Sequence, residues 1–462
     1  MILKQRIQVA LIATIMLTIA SCGIQKYKGP EARFDGLYRE VTSTDTTTIA
    51  KMPWSQIFGD AYLQKLIEEG IAQNLDLKVA ATRVQQAEAY YLQSRAALFP
   101  ALNGTAQATL NKLSDAQGGQ FINNNRIYQV GLSSNWEADI WGKLRSSRRA
   151  SYASLLQSEA GARAVQTGLV ANIANYYYTL LALDQQLAIT EETVQNWVKI
   201  VETMRQLKDA ARVTGAAVVQ SEASRYAAEV TIPDLKQRIR ENENALSVLL
   251  GRSPGPIPRS NLNEQTLQAT LPVGVPTQLL SNRPDVQQAE FNYRYYFENV
   301  NVARAFFYPT LTITASGGLS NVELQNFFSP GSVFGSLIGG LTQPIFNRRA
   351  NKTRLEVARA QEQEALLGFQ RSLLTAGQEV SDALALYQNA ADKTVSRQKQ
   401  IEALQKSIEY TEALLRYGSA NYVEVINAQQ SYLSAQLNRV NDRLQQYQSV
   451  VRLYRALGGG WR

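Results

Sequence analysis

The stretch VARAFFYPTL, residues 302–311, has a counterpart in RAALFPAL at residues 95–102. Each runs through an aromatic residue into a proline, and the two prolines lie 209 residues apart. The same spacing separates Asp76 in NLDLKVAA from Asp285 in RPDVQQAE. An internal repeat determines the architecture of a chain, so this shared spacing is the first constraint on the fold.

A second repeated stretch has a different spacing. VQQAE occurs at Val84–Glu88 and again at Val286–Glu290, which is 202 residues later. The difference of seven residues is two helical turns, so a shifted copy still falls on the same helical face. The spacing of 209 residues is therefore the true spacing of the repeat, and the VQQAE pair is a shifted match. The repeat predicts a duplicated unit at about 70–251 and 280–460. Later landmarks keep nearly this spacing, namely DIWGK (139–143) with PIFNR (344–348), Gly215 with Gly418, and Gly251 with Gly458.

Each copy contains two segments with the pattern of a strand. From Tyr128 to Ile140 apolar residues alternate with polar ones, and Thr310–Ser316 repeats the alternation. A period of two is typical of a strand with one apolar and one polar face. The segment SVFGSLIGGLTQPIF is rich in glycine and follows the pattern less clearly. The predicted strands lie at about 100–112, 126–141, 308–320 and 333–346.

These strands have the length that a bilayer requires. Each is roughly ten residues long, and a strand crosses a bilayer in about 9–11 residues. Four strands cannot close a barrel alone, so several chains would have to share one. A small soluble sheet is the alternative interpretation. Aromatic residues near the strand ends favour the membrane, namely Trp136, Trp141, Phe334 and Phe346.

Long helices follow the second strand of each copy. Lys143–Val213 and Arg348–Arg416 contain no proline and are rich in Ala, Leu, Gln and Glu. At about 1.5 Å per residue, each run predicts a helix of roughly 100 Å. An ordinary coiled coil is one interpretation. The alanine-rich seams instead favour shallow packing in a wide helical cylinder, and Pro233 is expected to kink or break the return helix of the first copy.

The composition excludes several classes of active site. The chain has no histidine and a single cysteine, so histidine-based catalysis, thiolate metal clusters and disulfides within the chain are ruled out. Lys and Arg number 47 against 39 for Asp and Glu, without a basic run that would suggest nucleic-acid binding. No glycine-rich phosphate loop is present. An enzyme would have to rely on carboxylates, lysine or tyrosine.

The N-terminus carries the pattern of a lipoprotein signal. Lys4 and Arg6 precede an apolar run from Ile7 to Ala20, which is too short for a spanning helix and typical of a secretory signal at 1–21. Cys22 follows small residues, so we expect its thiol to be acylated and to tether the chain to a bilayer. Because the next residue is glycine and not aspartate, the outer membrane is the expected destination.

Taken together, these marks resemble the TolC family, and within it the acylated outer-membrane factors of resistance-nodulation-division efflux pumps. The resemblance covers nearly the whole mature chain. It is carried by Cys22, NLDLKVAA, ALFPAL, DIWGK, LLSNRPDVQQAE, ARAFFYPTLTI, QPIFNRR, RYGSANYVEVINAQQSYLSAQ and the terminal LYRALGGGW.

The resemblance implies a mainly α fold with membrane β structure: long helical hairpins and four strands in a duplicated unit. Three chains would form a 12-stranded β-barrel in the outer membrane and a hollow periplasmic α-barrel. This homotrimer would conduct passively, without cofactor or catalysis. Its partners would be a periplasmic adaptor (a membrane fusion protein), an inner-membrane resistance-nodulation-division pump and outer-membrane lipid, with no nucleic acid.

The resemblance also implies a division of the chain. A segment at 22–69 and a linker at 252–282 would contribute, with the C-terminus, to an equatorial belt. The first structural repeat would occupy 70–251 and the second 283–462.

Two sets of residues are the expected functional sites. The family's adaptor contact lies at the tips of the helical hairpins, here Thr214, Gly215, Ala216, Tyr417, Gly418 and Ser419. The pore constriction lies nearby, where many relatives have aspartate and this chain has Asn427. Glu424, one turn earlier, could supply the constriction carboxylate or could be an exposed helix carboxylate. We expect gating to be an iris-like shift of the inner helices.

Two other functions compete with the efflux duct. A structural periplasmic coiled-coil lipoprotein would explain the helices and the acylation signal but needs no amphipathic strands. A carboxylate enzyme such as a glycosidase would need paired acids in a cleft, whereas the acids here lie mostly on polar helix faces. The sequence does not select a transported substrate.

Overall fold

The computed structural model describes residues 24–31, 36–39, 45–111, 125–266, 272–417 and 421–462. The expected signal peptide, Cys22, Gly418 and Ser419 lie outside these residues. Within the described part, no helix combines the length and the apolar character that a membrane-crossing helix needs.

The chain forms two compact units, and each contains segments from both sequence repeats. The first unit combines Arg83–Ser158, Gln288–Phe369 and the segment that ends at Glu31. The second combines Glu159–Gln287, Gln370–Arg462 and the segment that ends at Thr82. Duplication in the sequence is therefore not a division into two bodies in space. The domain boundaries given above stay a prediction.

The first unit contains one antiparallel sheet in the order β1-β2-β3-β4. Neighbouring strands in the sequence are neighbours in the sheet, so each copy of the repeat contributes one hairpin. The register is fixed by pairs such as Ala101 with Asn135, Trp136 with Ile313, and Thr310 with Thr342. The strands are β1 (Ala101–Asn111), β2 (Asn125–Ala138), β3 (Thr310–Asn321) and β4 (Val333–Thr342).

Helices make up most of the remaining structure. They are α1 (Trp54–Ile57), α2 (Ala61–Gln73), α3 (Leu75–Ala96), α4 (Lys143–Asp209), α5 (Gly215–Glu229), α6 (Thr231–Leu249), α7 (Leu279–Asn282), α8 (Pro284–Ala305), α9 (Ala350–Arg416) and α10 (Tyr422–Ala456). Short 3₁₀ turns lie at Ile49–Lys51, Leu262–Glu264, Pro276–Gln278, Leu324–Asn326 and Pro330–Ser332.

The two long helices confirm the repeat in length as well as in position. α4 and α9 each contain 67 residues, about 100 Å of helix. The return helix of the first copy is divided into α5 and α6 at Val230, and Pro233 lies in the first turn of α6. Proline is tolerated there because a first-turn N–H has no partner within the helix, which is why the break falls before it. The return helix of the second copy, α10, is continuous over 35 residues.

Apolar contacts join the helices near the hairpin tips. Met204 of α4 packs with Ala217 and Val218 of α5, and with Leu415 and Val425 of the second hairpin. A neighbouring cluster consists of Val194, Trp197, Ala228 and Ile426. The two hairpins therefore share one small core at this end of the second unit.

The junctions between short and long helices repeat as well. Asn74, between α2 and α3, donates its side-chain N–H to the Leu249 carbonyl at 2.9 Å. Arg283, between α7 and α8, donates from Nη1 to the Ala456 carbonyl, also at 2.9 Å. Both carbonyls lie two residues before a left-handed glycine, Gly251 or Gly458. The last turn of one helix is thus fixed to the start of another in both copies.

Candidate functional site

The sheet separates apolar from polar side chains across its two faces. Paired residues lie on the same face, and the register aligns the apolar positions of all four strands. On β4, Leu337 and Leu341 of this face are 76% and 68% exposed. Apart from Ser134 and the end residues Arg126 and Asn321, this face has only apolar or small residues and Tyr128. Its larger members are Leu102, Leu110, Val130, Leu132, Trp136, Leu311, Ile313, Leu319, Val333, Leu337 and Leu341.

The opposite face is hydrophilic. Gln107 donates to Gln129 across the strands at 3.0 Å, and threonine and serine are the commonest residues at the other positions. The large apolar exceptions are Ile127, Phe334 and Ile338. One face therefore suits hydrocarbon and the other suits water, which is the division that a channel wall requires. The polar members include Asn103, Thr105, Gln107, Thr109, Gln129, Ser133, Asn135, Glu137, Thr310, Thr312, Thr314, Ser316, Ser320, Ser336 and Thr342.

Each end of the strand order is an open edge. Among the described residues, β1 pairs only with β2, and β4 pairs only with β3. Unpaired backbone N–H and C=O groups are not tolerated in a bilayer, because no water is present to satisfy them. The sheet is therefore a part of a larger sheet when it lies in a membrane.

The aromatic residues near the strand ends differ in their surroundings. Trp136 donates its indole N–H to the Leu98 carbonyl at 3.0 Å. Trp141 donates to the Pro309 carbonyl at 2.6 Å and stacks on Tyr308. Phe346 is 86% exposed, although it occupies the position in the second repeat that Trp141 occupies in the first. The repeat is therefore asymmetric where its strands end.

The first hairpin tip places the predicted adaptor residues at the start of α5. Thr214 is the N-cap residue, and Gly215 and Ala216 are the first helical residues, all exposed. Beyond its chain neighbours and the backbone of its own helix, nothing lies within 4 Å of the place where a Cβ on Gly215 would be, and its φ is not positive. The left-handed residue of this turn is Ala211, with φ 53°. Ala211 is not recognisable as a turn residue from the sequence, because alanine carries no turn signal.

The second hairpin tip lies only partly within the described residues. Tyr417 follows α9 and is 83% exposed. Asn421 caps α10 by accepting the Val423 N–H at 3.2 Å. Glu424 and Asn427 both lie on the exposed face of the first turns of α10, while Val425 and Ile426 between them are buried. The two predicted constriction residues therefore share one helix face.

A polar cluster fixes the 259–265 segment in the second unit. The Asp60 carboxylate accepts hydrogen bonds from Tyr177 and Gln265, each at 2.6 Å, and from Ser260. Partial burial raises the pKa of Asp60, but these hydrogen bonds outweigh it and hold the pKa below its ordinary value. Arg259 bridges Asp184 and Glu243 at 2.5 and 2.6 Å. The linker is thus bound to α4 and α6 by side chains that no sequence motif marks.

No cluster of three or more residues of the metal-ligating types is arranged to bind an ion anywhere in the described part of the chain. The features that do stand out are a two-faced sheet with open edges and long helical hairpins with exposed tips. A chain that combines these features in a duplicated unit is a subunit of an outer-membrane channel.

The chain belongs to the outer membrane efflux protein family. The family model matches residues 66–252 and 275–459, one match for each copy of the repeat. This confirms the resemblance found from the sequence, the duplicated fold, the outer-membrane location and the role as an efflux channel.

Individual relatives cover almost the whole chain. The chain is 31% identical over 415 residues to the cation efflux system protein CusC of Escherichia coli O6:H1, covering 88% of each. It is 29% identical over 460 residues to the antibiotic efflux pump outer membrane protein ArpC of Pseudomonas putida, covering 97% of this chain and 95% of the relative. The open-state structure of the Neisseria gonorrhoeae MtrE outer membrane channel is similar with a TM-score of 0.86 and 25% identity, covering 95% of this chain and 98% of that one.

Proposed function

We propose that three copies of this chain assemble into the exit duct of a tripartite efflux pump. The observation that carries the proposal is the sheet, which has one face for lipid, one face for water and two open edges. If β4 of each copy pairs with β1 of the next, three copies close a sheet of twelve strands without an unpaired edge. The polar face then lines the passage through the membrane, and the long helices form the periplasmic part of the duct.

The same assembly assigns partners to the N-terminus and to the hairpin tips. Acylation of Cys22 would anchor the N-terminus in outer-membrane lipid. The exposed tip residues Thr214, Gly215, Ala216 and Tyr417, with Gly418 and Ser419, would receive the periplasmic adaptor. The adaptor in turn connects the duct to an inner-membrane pump of the resistance-nodulation-division type, which supplies the energy.

The duct itself carries out no chemistry and needs no cofactor. Its selectivity would depend on width and charge along the passage rather than on a binding pocket. The relatives are named for cations in one case and for antibiotics in another, at nearly the same identity to this chain. Overall identity therefore does not assign the substrate.

Cysteine cross-linking between β4 of one copy and β1 of the next tests the assembly. Cys22 is the only native cysteine, and paired strands lie about 4.8 Å apart, within disulfide reach. We expect Thr105→Cys on β1, combined in turn with Phe334→Cys, Ser336→Cys or Ile338→Cys on β4, to give a covalent trimer in at least one combination. Non-reducing electrophoresis of the membrane fraction reads out the result.

The control uses a pair within one chain. Ser133 and Ser316 are register partners on β2 and β3, so Ser133→Cys with Ser316→Cys should cross-link without forming oligomers. A product that stays monomeric in every β1–β4 combination, while this control pair oxidises, would contradict the proposed assembly and favour the spacer lipoprotein.

Glu424→Gln tests the proposed constriction. A trimer would present three Glu424 carboxylates, and a ring of carboxylates raises cation permeability over anion permeability. We expect the substitution to lower the cation-to-anion permeability ratio by about twofold or more in planar bilayers, and Asn427→Asp to raise it. Glu409→Gln, which removes an exposed carboxylate from α9, should leave the ratio unchanged. An unchanged ratio in Glu424→Gln would mean that this carboxylate is only an exposed helix residue.

A further inference from the structure

The two copies of the repeat leave the sheet through related turns with different electrostatics. The β2–α4 turn contains DIWGK and the β4–α9 turn contains PIFNR, and the two motifs lie 205 residues apart. Each turn carries an apolar pair followed by basic residues: Ile140 and Trp141 in the first, Ile345 and Phe346 in the second. The first turn therefore serves as an internal reference for the second.

In the β2–α4 turn the basic residues are neutralised within the chain. Lys143 pairs with Glu137 at 2.6 Å, and Arg145 pairs with Asp139 at 3.0 Å. Trp141 of the apolar pair is satisfied by its hydrogen bond to the Pro309 carbonyl. This turn needs no further partner for its charges.

The β4–α9 turn lacks these carboxylates. Thr342 and Pro344 occupy the positions of Glu137 and Asp139 at the same spacing. Arg348, Arg349 and Lys352 follow, all exposed. Arg349 approaches Glu356 at 3.2 Å, but both side chains are at least half exposed and such a pair is weak. Within the described residues, Arg348 and Lys352 have no ion pair.

The apolar pair of this turn is also uncovered. Ile345 is 97% exposed and Phe346 is 86% exposed, directly before the basic residues. Both follow β4, whose apolar face ends at Leu341. Apolar side chains beside cations at the end of a membrane strand match the boundary between acyl chains and headgroups, where aromatic and basic residues are both favoured.

From this contrast we propose that the β4–α9 turn binds an anionic phospholipid of the leaflet that borders the strand ends. Ile345 and Phe346 enter the acyl region, and Arg348, Arg349 and Lys352 neutralise the headgroup phosphate. The lipid supplies the negative charge that Glu137 and Asp139 supply in the β2–α4 turn. The inference rests on insertion of the sheet in the outer membrane, as in the proposed function.

Native mass spectrometry of the full-length assembly tests the proposal with defined lipids. Phosphatidylglycerol and phosphatidylcholine are each titrated onto the protein released from detergent. We expect the wild-type protein to bind phosphatidylglycerol more tightly, and Arg348→Gln/Arg349→Gln/Lys352→Gln to lose at least about tenfold of that preference, since cations near a membrane surface each add several-fold to anionic lipid binding. The matched control, Arg371→Gln/Lys399→Gln/Lys406→Gln, removes three exposed charges from the same helix and should keep the preference.

A second variant tests the site while keeping its cations. Thr342→Glu/Pro344→Asp restores the carboxylates of the β2–α4 turn and should remove the preference by supplying counter-charges within the chain. A preference that persists in both turn variants, or that falls equally in the control, overturns the proposal. If the triple variant does not assemble, the carboxylate variant decides.

The outcome for the lipid site is separable from the outcome for the duct. Flotation with phosphatidylcholine vesicles and the β1–β4 cross-link report insertion and assembly without anionic lipid. Normal flotation and cross-linking with no lipid preference would remove only the lipid site. Absence of both vesicle flotation and the β1–β4 cross-link would contradict the proposed duct itself.

Discussion

Gly458→Ala is expected to destabilise the folded protein by about 4 kcal/mol or more. Gly458 follows α10 with φ 90°, a region that L-residues avoid. A Cβ there would overlap the backbone carbonyl of Asn282. Because the obstacle is backbone rather than a mobile side chain, relief requires α10 to move away from the α7–α8 junction.

The hydrogen bonds at this junction depend on the same close approach. The Gly459 N–H bonds the Tyr454 carbonyl at 2.9 Å, which closes the end of α10 in a Schellman arrangement. Displacing α10 would also lengthen the bond from Arg283 to the Ala456 carbonyl. Gly251→Ala should act in the same way in the first copy, since a Cβ there would lie 2.6 Å from the Gln73 carbonyl oxygen.

Urea unfolding in detergent, followed by tryptophan fluorescence, measures the effect. Gly168→Ala is the control, because it lies inside α4 and an added Cβ would meet nothing within 4 Å beyond its chain neighbours and the backbone of its own helix. Alanine at that helical position should stabilise by about 0.5–1 kcal/mol. A Gly458→Ala protein with an unfolding midpoint close to that of the wild type would show that the junction is not tightly packed.

Arg283→Ala is expected to cost about 3 kcal/mol, since it removes a buried cation with three partners. Arg283 forms a two-pronged pair with Asp285 at 3.0 and 2.6 Å and a second ion pair with Glu379 at 2.7 Å. The guanidinium is 6% exposed, whereas the two carboxylates are nearly half exposed. Solvent therefore reduces the cost below that of a fully buried network. The substitution leaves two carboxylates without their cation and the Ala456 carbonyl without this donor.

The cost should depend on pH in a defined direction. Burial raises the pKa of Asp285, but the hydrogen bonds and charge of Arg283 outweigh it and hold the pKa below its ordinary value of 3.8. A carboxyl with a lowered pKa in the folded state adds stability above its unfolded pKa and loses it as the pH falls through the folded pKa. The difference between the wild-type protein and Arg283→Ala should therefore shrink as the pH falls below about 4.

Lys236→Ala is the control for charge alone. Lys236 pairs with Glu191 at 3.4 Å, and both side chains are at least half exposed. Such surface pairs contribute about 0–1 kcal/mol, so little change is expected. An Arg283→Ala loss no larger than that of Lys236→Ala would mean that the Arg283 network does not hold α10 to the α7–α8 junction.

The repeat was readable from the sequence because proline, glycine and alternating polarity act locally. Pro100 and Pro309 set the register, and the alternation from Tyr128 to Ile140 indicated a two-faced strand before its partners were known. The strand of the second copy that contains Phe334 was less clear, because glycines weaken the alternation. Its place in the sheet depends on pairing with β3.

The functional sites were only partly predictable. Glu424 and Asn427 were selected by resemblance, and their common exposed face follows from helical spacing. That Arg348 and Lys352 have no ion pair within the described residues was not apparent from the sequence. The correspondence between DIWGK and PIFNR was the signal that could have indicated it. Recognising it required the ion pairs of Lys143 and Arg145, which are contacts in space.

By itself the sequence determined the duplication, the long helices, the two-faced strands and the family, since each follows from local patterns of residue type. Only the tertiary structure decided how the copies combine: hairpins from both meet in one sheet, and Asn74 and Arg283 fix equivalent junctions. It also decided which charges are paired. The physical reason is that periodicity is a property of neighbours along the chain, whereas register, burial and charge compensation depend on residues that are distant in sequence.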